Sequence, residues 1–196
     1  MYYYLIIILF ISKLLPIDIS LFNNTIDWIE LQNNKIKISY KEKDNFKYCK
    51  ASIVYNSNPE KIKNILDDKD NYPNIFKRME FCNSLTDKIV HIRLDLPFPF
   101  YGRDYIVEYD YFKMKDFEYY IYNSTDKINI TTNKNYVRLP NASGIWVIEP
   151  ITNESTKLTF IWNGELLGNF PNWALNIAWT KQGNEVLTWI KEALDN

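Results

Sequence analysis

Between Lys35 and Trp162 the apolar residues recur mostly at every second position, and only after Pro171 does that spacing give way to a helical one. A period of two sends alternate side chains to opposite faces of a strand, whereas a period of 3.6 gathers them on one side of a helix. Ile36, Ile38 and Tyr40 alternate with Lys35, Lys37 and Ser39, and Cys49, Ala51, Ile53 and Tyr55 share one face of the next strand. Val90, Ile92, Leu94 and Leu96 oppose His91, Arg93 and Asp95; Tyr105, Val107, Tyr109 and Tyr111 oppose Ile106, Glu108 and Asp110. Phe117–Tyr122, Ile145–Glu149 and Leu158–Trp162 complete a meander. No helical pattern separates these later strands, so the sheet is predicted to be antiparallel.

Two segments break the rule. Asn58-Pro59-Glu60 starts an early helix, with Asn58 as N-cap and Pro59 at the first helical position. Ile62, Ile65 and Leu66 form its apolar stripe and Asp67-Asp68 ends it; Tyr72-Pro73 and Phe76 follow as a packed connection. The second helix opens at Phe170-Pro171-Asn172-Trp173 and runs to about Leu194, with a bend expected near Gly183. Leu175, Trp179, Val186, Ile190 and Ala193 lie on one stripe, widened by Leu187 and Leu194. One long amphipathic helix after a large antiparallel sheet has to bury that stripe, and the concave sheet face is the place for it. The pattern is α+β, in one domain.

Composition removes several function classes. A net charge of −1 on 196 residues excludes a general nucleic-acid binder, which carries a basic stripe. One His and two Cys exclude zinc fingers and disulfide frameworks, and five scattered Gly leave no phosphate-binding loop. What is in excess is aromatic: 15 Tyr, 11 Phe and 6 Trp, enough either to fill a core or to line a hole. Cys49 and Cys82 sit in separate segments and read equally as a disulfide in an oxidising compartment or as two buried thiols.

The N-terminus reads as a unit of its own. Tyr2–Ile11 is an unbroken apolar run that Lys13 stops well short of the roughly 20 residues needed to span a bilayer. Its length suits the core of a signal peptide, although no basic residue precedes it and no small-residue cleavage site stands before Asn23. The expectation is a signal peptide over 1–22 and export to a periplasmic or extracellular space, with the folded domain over 23–196.

Four blocks, in this order, resemble the START family of steroidogenic acute regulatory protein-related lipid-transfer domains. They are Asn58-Pro59-Glu60 through Leu66-Asp67; Pro97-Phe98-Pro99-Phe100-Tyr101-Gly102-Arg103-Asp104; Tyr136-Val137-Arg138 with Gly144-Ile145-Trp146-Val147-Ile148-Glu149-Pro150; and Gly168-Asn169-Phe170-Pro171-Asn172-Trp173-Ala174-Leu175-Asn176. The resemblance covers about Trp28 to Leu194. It implies a helix-grip fold, a curved antiparallel β-sheet wrapped around a long C-terminal α-helix with an internal apolar cavity. It also implies a sterol, phospholipid or ceramide as guest, no cofactor and no catalysis. The chain is short for that family, with no room for a long N-terminal helix to close one end of the cavity.

On this reading the inward faces hold the lipid-binding residues: Val107, Tyr109, Phe160 and Trp162 on strands, and Leu175, Trp179, Gln182 and Val186 on the helix. The competing reading makes the same stripes an ordinary packed core. Leu166, Leu167 and Phe170 flank Gly168 as a lid in transient contact with a membrane surface, or else as a staple at the helix start. His91 falls on the face of Arg93 and Asp95, which the pattern makes a solvated outer face. Arg103 and Asp104, being adjacent, point to opposite faces, and Arg138 is expected to bond neighbouring backbone. Two other functions fit the same fold. A polyketide cyclase would need inward acid or base groups such as Tyr109, Glu149 or Tyr111, and an interaction module would have a filled core.

Overall fold

A computed structural model describes residues 17, 19–23, 26–96, 101–163 and 172–195. The Tyr2–Ile11 run, the Pro97–Phe100 turn and the Leu166, Leu167 and Phe170 lid all lie outside the described residues. The elements run α1 (Ser20–Asn23), β1 (Ile29–Asn33), β2 (Lys37–Lys43), β3 (Phe46–Tyr55) and α2 (Pro59–Asp67). A 3-10 turn (Lys69–Asn71) leads to α3 (Tyr72–Ile75), β4 (Met79–Ser84), β5 (Ile89–Leu94), β6 (Gly102–Met114) and β7 (Phe117–Ser124). β8 (Tyr136–Arg138), β9 (Ser143–Thr152), β10 (Ser155–Asn163) and α4 (Asn172–Asp195) complete the chain.

Among the described residues, ten strands make one sheet in the order β1-β2-β3-β10-β9-β7-β6-β5-β4, with every pair on this path antiparallel. Off this path the three-residue β8 pairs in parallel with β6, a departure from the all-antiparallel expectation. Hairpins alone would leave the first three strands apart from the last; the long register from Thr156↔Tyr55 to Asn163↔Tyr48 joins them. The β2–β3 turn places Asp44 and Asn45 at φ 53° and 65°, the left-handed region that short polar side chains tolerate. Asn58 caps α2 as expected, its Oδ1 accepting from the Glu60 amide at 2.7 Å.

α4 crosses the inner face, and three of the contacts that fix it there set its depth. At Gly183 an added Cβ would lie 3.0 Å from Ile38 Cδ1 and 3.1 Å from Ala51 Cβ, so the residue expected to bend the helix is the one that lets it touch the sheet. The Tyr55 hydroxyl donates to the Leu187 carbonyl at 2.6 Å. Arg78 donates from two nitrogens to Glu185 at 2.7 and 3.0 Å. Leu187 and Ile190 are fully buried beneath these links.

A second apolar cluster covers the outer face. Ile17 and Leu21 pack there on Tyr48, Tyr119, Ile145, Val147 and Ile161, and the Phe22 ring meets Phe117 and Tyr119 edge-on. The Ile17 amide donates to Asn123 Oδ1 at 2.9 Å. β9 and β10 therefore bury both faces, which is why Gly144–Ile148 reads as a continuous apolar run rather than an alternation.

His91 corrects the expectation of a solvated face. On the outer side of β5 and β6 the Phe81 ring meets His91 edge-on and the Arg93 and Arg138 side chains reach Asp104, so His91 is 3% exposed and Asp104 is wholly buried. Asp104 accepts from His91 Nε2 at 2.8 Å, Arg93 Nε at 3.0 Å and Arg138 Nε at 2.5 Å, while Arg138 also donates to the Ile130 carbonyl. Alternation identified the face; it carried no information on what lies over it. Although burial alone would raise the Asp104 pKa, the bonds from His91 and Arg93 and the charge of Arg138 bring it below the ordinary carboxylate value.

Two outcomes follow from this packing. A Cβ on Gly144 would meet Tyr122 Cζ and Oη at 2.5 Å, so Gly144→Ala is expected to destabilise the fold by about 1–3 kcal/mol, read as a lower Tm in thermal unfolding. Because the folded pKa of Asp104 is depressed, its contribution is complete above the unfolded value of about 3.9 and fades as pH falls through the folded one. Asp104→Asn should cost about 3 kcal/mol at neutral pH and flatten that acid limb, measured by urea unfolding from neutral pH downward.

Candidate functional site: an apolar cavity between sheet and helix

One part of the inner face is not filled by α4. There a cavity of about 300 Å³ lies between the helix and the strands. Its strand walls carry Ile92 and Leu94 from β5, Tyr105 and Tyr109 from β6, and Tyr122 from β7. Trp146, Phe160 and Trp162 continue the wall on β9 and β10, and Ala178, Gln182, Val186 and Trp189 face them from the helix. Tyr72 and Phe76 of the α3 region close one side.

Strand register builds this wall. Trp146 and Phe160 are direct partners across β9 and β10, and their rings stack with centroids 3.9 Å apart at 13°. Trp162, two residues on from Phe160 and so on the same face, continues the stack at 4.8 Å. One row further along the strands, Tyr109 pairs with Tyr122, Tyr122 with Gly144, and Gly144 with Trp162. Gly144 has no side chain in this row, and the Tyr122 ring occupies the space, which is what excludes a Cβ there.

Some polar groups of the lining are engaged with the protein and others are not. Arg78 and Glu185 form their two-bonded pair at the cavity wall. Arg103 donates to the Tyr101 carbonyl at 2.5 Å, and burial pulls its pKa down. Tyr72 donates to the Leu66 carbonyl at 2.8 Å. By contrast, among the described residues the hydroxyls of Tyr105, Tyr109 and Tyr122 have no protein hydrogen-bond partner, and the buried Nε1 of Trp162 has none. Burial drives the pKa of all three phenols upward, so each stays a neutral O–H donor and acceptor.

Of the eight residues read as a lipid wall, five line the cavity: Tyr109, Phe160, Trp162, Gln182 and Val186. Val107, Leu175 and Trp179 pack into the adjoining core instead; Trp179 lies 5.3 Å from the Tyr40 ring, ring centre to centre. Tyr105 and Trp146 line the cavity as well and carry the same alternation as the residues named from sequence, and Tyr122 shares a face with Tyr120 on the same principle. Arg78 and Glu185, 107 positions apart, left no sequence signal. Cys49 and Cys82 are both buried free thiols; burial pushes Cys82 up to about 12, which leaves it unreactive at neutral pH. His91 lies in the outer-face cluster, away from the lining.

No family model matches the chain. An uncharacterized protein of Pseudomonas aeruginosa is 27% identical over 90 residues, a match that spans 46% of this chain and less than half, 45%, of that protein. Solved structures align over far more. The STAR-related lipid transfer protein of Xanthomonas axonopodis superposes with a TM-score of 0.73 at 17% identity, covering 86% of this chain and 99% of that one. Human STARD10 gives 0.76 at 14% identity over 87% and 74%. The Zhui aromatase/cyclase of Streptomyces sp. R1128 gives 0.53 at 15% identity over 74% and 92%. The chain has the START-like helix-grip fold. At these identities the likeness is one of fold.

Proposed function

We propose that this protein binds a hydrophobic lipid in the cavity between its sheet and its last helix, and carries or senses that lipid without altering it. The observation that carries the reading is a cavity of about 300 Å³ walled by stacked Trp146, Phe160 and Trp162 inside an otherwise packed core. Burying hydrocarbon there stabilises the complex by about 0.8 kcal/mol per CH₂, so a chain needs few polar contacts. The solved lipid-transfer proteins of the same fold support it.

Of the groups a cyclase would need, Glu149 is bonded to Lys157 and Tyr111 to Glu118, and neither lines the cavity. Tyr109 does line it, as do the carboxylates of Asp95 and Glu185, the latter held by Arg78. The membrane is approached, on this reading, by the start of α4. Trp173 and Ile177 stand one turn apart there, 70% and 62% exposed, next in sequence to Leu166, Leu167 and Phe170.

The protein is proposed to be exported, on the strength of the Tyr2–Ile11 run. The packing of Ile17, Leu21 and Phe22 on the outer sheet face supports a cut at or before Pro16 rather than after Phe22. Intact-mass measurement of protein from the native host is expected to give a chain that retains Ile17; a start at Asn23 would refute that cut.

Native mass spectrometry of the same protein should find a lipid bound, chemically unchanged after incubation. Val186→Trp, which fills the cavity from the helix side, should lower lipid uptake roughly tenfold while costing about 1–3 kcal/mol of stability. Wild-type protein that neither co-purifies with lipid nor extracts any from vesicles would sink the reading, and a chemically converted lipid would replace it with the enzymatic one.

A further inference from the structure

We infer that the guest is a compact, uncharged lipid whose oxygen function docks on the row formed by Tyr109, Tyr122 and Trp162 across β6, β7, β9 and β10. The inference rests on the lipid-binding reading and narrows it to a substrate class.

Size comes first. A water-sized group, such as a methylene, needs about 10–15 Å³ of cavity space. A cavity of about 300 Å³ therefore holds roughly twenty to thirty such groups. That suits a single chain or a fused ring system, and the two chains and headgroup of a diacyl phospholipid exceed it.

Charge comes second. Among the described residues, the two arginines of the lining are already engaged: Arg78 holds Glu185 and Arg103 donates to the Tyr101 carbonyl. The Lys181 side chain is 58% exposed, its Nζ 3.9 Å from Glu185 and beyond hydrogen-bond reach. A phosphodiester drawn inside would leave water without a buried cation to receive it.

The row supplies what the charges do not. Tyr109 and Tyr122 are each 8% exposed and line the cavity, and among the described residues their hydroxyls have no protein partner, which leaves them to whatever fills the cavity. A guest oxygen there takes the place of water, whereas a bare hydrocarbon strips the hydroxyls of any partner. The Tyr122 ring lies across Gly144, with its Oη 2.5 Å from where a Cβ would stand. That carries the hydroxyl one strand nearer to Trp162, whose Nε1 is the buried donor without a partner. A ketone, ester carbonyl or alcohol oxygen meets this set of neutral donors. A bare hydrocarbon leaves it unsatisfied.

The test compares methyl octyl ketone with decane, which differ in one carbonyl oxygen, by titration calorimetry against the full chain. Vesicles of dioleoylphosphatidylcholine serve as the zwitterionic, two-chain alternative that carries a phosphodiester. The wild type is expected to bind the ketone about tenfold more tightly than decane. Tyr122→Phe should cut ketone affinity by about three- to tenfold, and Tyr109→Phe with Tyr122→Phe should erase the preference, with decane binding held within about twofold. An equal affinity for ketone and decane in the wild type, or a preference untouched by both substitutions, overturns the docking row and leaves lipid binding standing. Stoichiometric extraction of the phospholipid overturns the substrate class in the same way. Failure to bind ketone, decane or vesicle lipid overturns the proposed function itself.

Discussion

A single helix cannot cover the face it is laid on, and the rest of the molecule follows from that mismatch. With side chains an α-helix is about 10–12 Å across, whereas nine strands side by side span roughly 40 Å. The sheet curls around α4, and the β3–β10 pairing keeps the first three strands joined to the others as it does so. At Gly183 helix and sheet approach so closely that Ile38 and Ala51 leave little room for a Cβ. On the β5–β7 side the face lies beyond the helix's reach, and large aromatic rings partly fill the gap. What remains between them is the cavity.

Most of the elements were legible in the sequence because each half-buried strand wrote its own alternation. The Asn58 cap and the α4 stripe were equally plain, since both depend on near neighbours in the chain. β1 and β4 escaped notice: Ile29–Asn33 is an edge strand with little buried side, and Met79–Ser84 mixes small and polar residues at the other edge. β8 is too short for a period to be visible. The outer-face cover over Asp104 comes in part from Arg138, 34 positions beyond it, and no local pattern announces such a contact.

The candidate site was legible by face and not by position along the row. Periodicity puts Val107 and Tyr109 on the same side of β6, yet Val107 is sealed in the core and Tyr109 borders the cavity. The same division separates Trp179 from Val186 on α4. What decides between them is the local distance from sheet to helix, set by residues far apart in the chain, such as Gly183 against Ala51 and Arg78 against Glu185. Gly144 shows the limit well. In the sequence it merely precedes an apolar run; in the sheet it is the gap over which Tyr122 lies.

The helix is held unevenly along its length. From Trp179 onward it is buried or bonded, through Trp179 itself, the Arg78–Glu185 pair, the Tyr55 link to Leu187, and Ile190. Before Trp179, Trp173 and Ile177 face outward and Leu175 is only partly covered. On the proposed function, a guest passing between helix and sheet has to loosen under two turns of backbone, a local opening whose free energy is separate from that of global unfolding. Exchange rate and thermostability then become independent properties: a variant hardened at the Leu187–Ile190 end would melt later and still exchange its guest as fast.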